Sequence, residues 1–417
     1  MLSSKISKLF QNKLVNLYGT SIAYKLLCVV ISFLNSILIN RCLGVALRGE
    51  YTTITTLASL FQLFLNLGIG SAYPAFKRRY PDESKTIFTT LVFFLSAFYL
   101  IALVLTFPVL DNTYRYATVI AFLMTVENLL VFVAIVEDVS KRNKINCITL
   151  FVYSAILAAI LIFSKHNLHA VLCAVAFNHV LLCCCFISSF KVSKIRIKSL
   201  NKKIIFELFS IALPAMFMNL LMYLNYHADV LFLRYLTDDN VSVGLYGTAV
   251  TLGNMLWIVP DAFKEILYNR AARKDNPSEV IIAIICNIIL CIAVIIGFVF
   301  LGKWFLNTMY GQDFIDAYPL VLMLFVGTIP MIFYKLVHPI YIANGKTKTV
   351  VLLLLIAVIS NCIGNIILIP DYKATGAAIS SVISYAVCGI AFLIKFTKDY
   401  KVSFSDVTKN VLSIIKK

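Results

Sequence analysis

A few ionisable side chains stand inside long apolar runs of this sequence, where a charge is expensive and so marks function by default. Lys25 and Lys335 are the cationic candidates, since an ammonium facing a hydrated internal path would receive an anionic group. His338 follows Lys335 at i+3 on the same helix face, and Tyr334 and Tyr341 continue that polar aspect. Glu127 and Asp229 are the carboxylates, suited to carrying H⁺ or Na⁺. Each has a structural alternative. Lys25 could pair with Glu127, Lys335 could snorkel to the headgroups, and Asp229 could hydrogen-bond a neighbouring helix end. His179 is either a proton relay or a packed, hydrogen-bonded histidine. His227, two residues from Asp229, points to a different face, and Pro214 is placed to break its helix.

Other chemistries find no support. The sequence contains no Gly-x-x-x-x-Gly-Lys-Ser/Thr phosphate loop and no His-Glu-x-x-His zinc motif, so neither ATP hydrolysis nor any other enzyme activity is expected. The 11 cysteines lie mostly within apolar runs, including Cys183-Cys184-Cys185, with no metal-binding spacing. They read as small hydrophobes, and no metal or cofactor is expected. The net charge of +17 resembles a nucleic-acid footprint, but its basic residues sit in short segments between apolar runs, as membrane topology demands.

The elements that position these residues follow from composition. The chain is 60% hydrophobic and 14% charged, with a mean hydropathy of +0.89, whereas ordinary globular domains are about 25% charged. Continuous apolar runs such as Val280–Leu301 and Val350–Ile369 are unlike the short alternating strands of a membrane barrel. The expected fold is an all-α membrane protein of about twelve spans, near 15–40, 51–73, 86–108, 115–137, 146–164, 168–190, 204–234, 242–263, 280–301, 317–343, 348–369 and 374–396. The first run, from Leu14 to Asn40, is too long for a cleavable signal.

The basic residues give orientation. Segments on the side of the N-terminus hold 28 of the 37 lysines and arginines, the alternate segments hold 7, and Lys25 and Lys335 remain within spans. By the positive-inside rule both termini are cytoplasmic. The expected division is a six-helix lobe with its linker at 1–200, a second six-helix lobe at 201–396, and a basic cytoplasmic tail at 397–417.

The two halves repeat. Arg41-Cys42-Leu43-Gly44 leading to Gly49-Glu50-Tyr51 matches Arg234-Tyr235-Leu236 leading to Gly244-Leu245-Tyr246. Pro74-Ala75-Phe76-Lys77 resembles Pro260-Asp261-Ala262-Phe263-Lys264, and Arg142-Asn143-Lys144 corresponds to Asn344-Gly345-Lys346. Six spans per half give the halves one orientation, an architecture of transporters with a central cavity and alternating access. Gly44 and Gly49 are read as turn glycines, Pro370 as the end of the eleventh helix, and Gly376-Ala377-Ala378 as a smooth packing face.

The stretch Arg41–Tyr51 resembles the R-x-L-G-x₄-G-x-Y opening of polysaccharide-exporting flippases, and Asn365–Tyr385 resembles their late N-x-x-L-I-P signature. The run from Asp229 through Gly244-Leu245-Tyr246 to Pro260 is also similar. The family is that of Wzx-type O-antigen or capsule repeat-unit flippases, in the multidrug/oligosaccharidyl-lipid/polysaccharide exporter superfamily. The resemblance implies a multi-pass protein of the bacterial cytoplasmic (inner) membrane that moves undecaprenyl-pyrophosphate-linked oligosaccharide outward. For such a substrate, the cost of charge inside the spans marks Lys25, Lys335, His338 and Tyr334 as candidates for the substrate path, and Glu127 and Asp229 as ion-coupling candidates. Implied partners are membrane lipids and the pathway's polymerase and chain-length proteins, with no nucleic acid. Two alternatives are a cation-coupled multidrug exporter and a membrane glycosyltransferase or repeat-unit polymerase. The polymerase would need a large outer loop with clustered catalytic residues, and the outer loops here are short.

Overall fold

Lipid offers no partner to a backbone N–H or C=O, so a chain of this composition must satisfy them within helices. The computed structural model describes residues 2–192, 195–196, 202–271 and 277–401, with side chains from 23 onward except 265–266, 268–271 and 278. Those residues form helices and connections with no strand among them. The basic stretch from Lys191 to Lys203 lies partly outside the described residues, and the expected tail at 397–417 lies outside them from 402 onward, its first residues ending α12.

The helices are α1 (Leu2–Asn66), α2 (Ile69–Arg79), α3 (Ser84–Thr106), α4 (Asn112–Glu137), α5 (Val139–Phe163), α6 (Leu168–Phe190), α7 (Lys202–Thr237), α8 (Asn240–Leu256), α9 (Ile258–Ala271), α10 (Pro277–Met309), α11 (Tyr318–Ala343) and α12 (Thr347–Tyr400). Among the described residues nine helices are long and apolar enough to cross a bilayer, and α8 with α9, bent by 40° at Trp257, makes a tenth. The protein is a multi-pass membrane protein. Faces such as Phe98, Val104 and Leu105 of α3, and Ile289, Phe300 and Trp304 of α10, are exposed and apolar, which suits lipid rather than water.

Two helices are longer than hydropathy suggests. α1 has 65 residues and α12 has 54, each interrupted by one non-helical residue, Gly44 (φ 70°) and Lys373 (φ 46°). At 1.5 Å per residue each exceeds twice the ~30 Å hydrocarbon thickness. The break at Gly44 frees carbonyls, and His166 takes two of them: its amide donates to Cys42 O at 2.7 Å and its ring lies 3.1 Å from Leu43 O. Two turn expectations need correcting. Gly49 is helical, and Pro370 lies inside α12, where the break falls three residues later. Pro214 likewise leaves α7 continuous, since neighbours in a membrane bundle re-satisfy the backbone that proline frees.

The contacts group the chain into two compact units, Met1–Gly44 with Ile54–Leu220, and Val45–Thr53 with Leu221–Lys417. In the first, α2, α3, α4, α6 and the start of α7 share a core of Tyr73, Phe76, Phe88, Leu130, Phe186 and Leu208. In the second, α11 is the central helix: 67% of its most apolar window is buried, against 28% for α10. Small residues allow that burial, because a Cβ on Gly389 of α12 would stand 1.8 Å from the Pro330 carbonyl oxygen of α11. Gly49 has the same role against Asn240 O (1.9 Å), and its repeat counterpart Gly244 against Val45 O (2.1 Å). The repeated glycines therefore meet backbone to backbone.

Asp239 closes the short link before α8. Its Oδ1 accepts from the Val241 and Ser242 amides, both at 3.1 Å, and its Oδ2 receives the Lys373 ammonium at 3.0 Å. That pair ties the break in α12 to the start of α8. Burial alone would raise the carboxyl, but Lys373 and Ser242 outweigh it and bring it from 3.8 to about 2.

Two outcomes follow from this packing. Gly389→Ala should destabilise the purified protein by about 1–3 kcal/mol through overpacking, whereas Gly297→Ala, with nothing within 4 Å of its Cβ, should cost nothing in the same thermal unfolding assay. A carboxyl depressed by folding stabilises above its unfolded value and loses that contribution as pH falls towards its folded value. The stability advantage of wild type over Asp239→Asn should hold from neutrality to about pH 4 and shrink below it. A constant advantage down to pH 2.5 would contradict the assignment.

Candidate functional site: charges inside the helical units

In the first unit, Lys25 lies on α1 with its side chain exposed, one turn before Cys28. Cys28 packs with Ile31 and Cys147. Glu127 of α4 is bonded to His179 Nδ1 of α6, and both side chains are less than one-fifth exposed. The histidine offered as either relay or packing residue is thus the partner of the carboxylate offered for coupling. Two clefts of this unit, of about 250 and 310 Å³, are lined by residues such as Phe61, Phe64 and Tyr99, and Arg115 and Tyr116, and include neither Lys25 nor Glu127.

The second unit holds two polar clusters. Asp229 of α7 is fully buried. Its Oδ1 accepts from the Val230 amide at 3.1 Å. Its Oδ2 accepts from the hydroxyls of Tyr246 in α8 and Ser381 in α12, which are 3.0 Å apart. One turn earlier, Asn225 Oδ1 accepts from Ser384 Oγ at 2.6 Å. Ser380 Oγ donates to Asn361 O, and Asn365 Nδ2 to Asn361 Oδ1, both at 2.9 Å. Asn225 Nδ2, Asn361 Nδ2 and Asn365 Oδ1 have no hydrogen-bond partner among the described residues. One carboxylate among neutral oxygens and amides can take up a proton or a hard monovalent cation. Among the described residues no three His, Cys, Asp or Glu side chains gather as a metal site.

The other cluster surrounds Lys335. Its ammonium donates to Asp261 Oδ1 of α9 at 2.8 Å and lies 4.5 Å from the centroid of the Trp257 ring. Tyr226 and Tyr385 pack on Trp257 at 4.4 and 5.7 Å. The Lys335 side chain is 7% exposed, Asp261 is 39% exposed, and Lys264 reaches the same Asp261 oxygen at 3.0 Å. Lys335 is therefore an inward, paired cation rather than a snorkelling one. Tyr334 is buried, stacked on His338 at 4.6 Å, and His338 Nδ1 lies 2.9 Å from Tyr334 O. The structure thus brings Lys335, Tyr334 and His338 into one neighbourhood, and places Asp229, Glu127 and Lys25 at other positions.

The sequence reading missed Asp261, Trp257, Tyr226 and Tyr385, and the Asn225, Tyr246 and Ser381 company of Asp229. Asn225 was accessible, being one helical turn from Asp229. Asp261 carried no signal of its own, because a carboxylate at the edge of an apolar run reads as a span boundary.

No curated protein matches the sequence. Among solved structures, the lipid II flippase MurJ in an inward closed conformation aligns at a TM-score of 0.68 and 15% identity, covering 95% of this chain and 90% of that one. An inward-facing multidrug resistance MATE family transporter of the MOP superfamily aligns at 0.66 and 14%, covering 92% and 99%. A Vibrio cholerae MATE transporter aligns at 0.59 and 13%, covering 96% and 98%. These matches establish the fold. The family model described as "Polysaccharide biosynthesis protein" matches residues 17–259. That stretch is more than half of the chain, and the chain belongs to the polysaccharide biosynthesis protein family.

Proposed function

We propose that this protein is a flippase that carries undecaprenyl-pyrophosphate-linked oligosaccharide, an O-antigen, capsule or exopolysaccharide repeat unit, from the cytoplasmic to the outer leaflet of a bacterial inner membrane. The observation that carries the reading is the buried ammonium of Lys335 in a member of the polysaccharide biosynthesis family. A pyrophosphate crossing hydrocarbon needs a cation already held inside. Lys25 supplies a second positive charge on α1, and Tyr334 and His338 line the Lys335 neighbourhood.

Twelve spans with both termini in the cytoplasm fit this role. α1 and α12 are each long enough to cross twice about their breaks, α8 with α9 makes one bent span, and the basic residues divide 28 to 7 between the sides. Two like-oriented halves suit alternating access. Asp229 and the Glu127–His179 pair are the coupling sites, where binding of H⁺ or Na⁺ would bias the helices that share the carboxylate. Polymerase and chain-length proteins act on the exported unit. The MATE likeness supports a second reading, a cation-coupled exporter of small amphiphilic compounds.

Deletion of the gene should leave lipid-linked repeat units on the inner leaflet, detected as protection from an externally added glycosidase or periodate. Unpolymerised units on the outer leaflet would instead indicate a polymerase, and no accumulation together with drug sensitivity would indicate the exporter. Lys25→Ala and Lys335→Ala should each lower export about tenfold or more at unchanged protein level; intact export in both would remove the pyrophosphate assignment. Asp229→Asn, which cannot titrate, should abolish the dependence of export on the ion gradient in vesicles. Retained gradient dependence would move the coupling site to Glu127.

A further inference from the structure

Lys335 is not the only ammonium on Asp261. Lys264, one turn along α9, reaches the same Oδ1 atom, 3.0 Å away against 2.8 Å for Lys335. The two nitrogens therefore lie within about 6 Å of each other, a spacing that the oxygens of a diphosphate can bridge. One carboxylate between two ammonium groups leaves the cluster with an excess positive charge. Around the inner ammonium are further groups in want of a partner. Trp257 Nε1, Tyr226 Oη and Tyr334 Oη are buried without a hydrogen-bond partner among the described residues. Lys335 is enclosed, while Asp261 and Lys264 are each about one-third exposed, so the cluster reaches the surface at those two residues.

We propose that Asp261 is a resident counter-ion that the substrate's diphosphate displaces, and that Lys264 and Lys335 form a two-ammonium clamp for it. The proposal rests on the flippase reading above and specifies how its anionic group is received. In the empty protein Asp261 keeps Lys335 paired, so that no bare charge is held in the apolar interior. An arriving diphosphate exchanges one anionic oxygen for another at each lysine. The second phosphate is what Lys264 adds, so the clamp separates a diphosphate from a monophosphate carrier. Because Asp261 competes for the same lysines, it holds the substrate's affinity down, which lets the carrier release its load on the far side.

The test measures binding of undecaprenyl diphosphate and undecaprenyl monophosphate to the purified full-length protein in nanodiscs. Wild type should prefer the diphosphate. Lys264→Gln should abolish most of that preference while leaving monophosphate binding nearly unchanged. Asp261→Asn should tighten both ligands by about tenfold, and Lys335→Gln should weaken both by about tenfold or more. If Lys335→Gln leaves both affinities unchanged, the pyrophosphate assignment itself fails. If Lys335→Gln weakens binding but Asp261→Asn does not tighten it and Lys264→Gln keeps the diphosphate preference, the counter-ion exchange alone is refuted. Lys264 is partly exposed, so its variant decides the clamp even where Asp261→Asn does not fold.

Discussion

Hydrocarbon gives a charge no solvent, and the interior of this protein is arranged around that fact. Lys335 is held by Asp261 and backed by the Trp257 ring; Glu127 is bonded to His179; Asp229 takes the hydroxyls of Tyr246 and Ser381. In every case the partner comes from a different helix. The ion pairs and hydrogen bonds thus specify which helices must be neighbours, while the apolar surface, indifferent to its neighbour in lipid, cannot. Small residues complete the specification. Gly389 against Pro330 and Gly49 against Asn240 let backbones come close enough for short side chains to reach.

The same constraint decides what the sequence made legible. Helices and their apolar lengths could be read, because hydropathy is a local property and spans need a fixed number of residues. Fusion of the first two runs into α1, and of the last two into α12, could not be read. A single non-helical residue, Gly44 or Lys373, replaces the loop that hydropathy suggests. Lys335, Glu127 and Asp229 stood out individually as ionisable groups in apolar runs. Their partners did not, because Asp261 lies 74 residues from Lys335 and Ser381 lies 152 from Asp229. Nothing local in a serine beside Gly376-Ala377-Ala378 announces that it donates to a buried carboxylate on α7.

The two clusters of the second unit differ in kind, and the difference bears on the proposed function. The Asp229 cluster is sealed, with its hydroxyls and amides at zero or near-zero exposure. Its polar groups can exchange a small ion but cannot admit a sugar or a diphosphate. The Lys335 cluster is enclosed at the lysine but exposed at Asp261 and Lys264. In the proposed flippase, the first cluster would take the coupling ion and the second the head of a large anion. Both take side chains from α7 and α12, so rearrangement of those two helices would be felt at both.

The pairing of Lys335 with Asp261 also bears on how the chain enters its membrane. A lysine within a spanning segment costs up to about 2.5–3.5 kcal/mol at insertion, the value at the helix centre. Asp261 precedes it by 74 residues. At about 5–20 residues per second of synthesis, the carboxylate leaves the ribosome several seconds before the lysine. The acidic half of the pair is therefore already waiting at the membrane when α11 emerges. Chain order lets the costlier helix be received by a partner rather than by lipid.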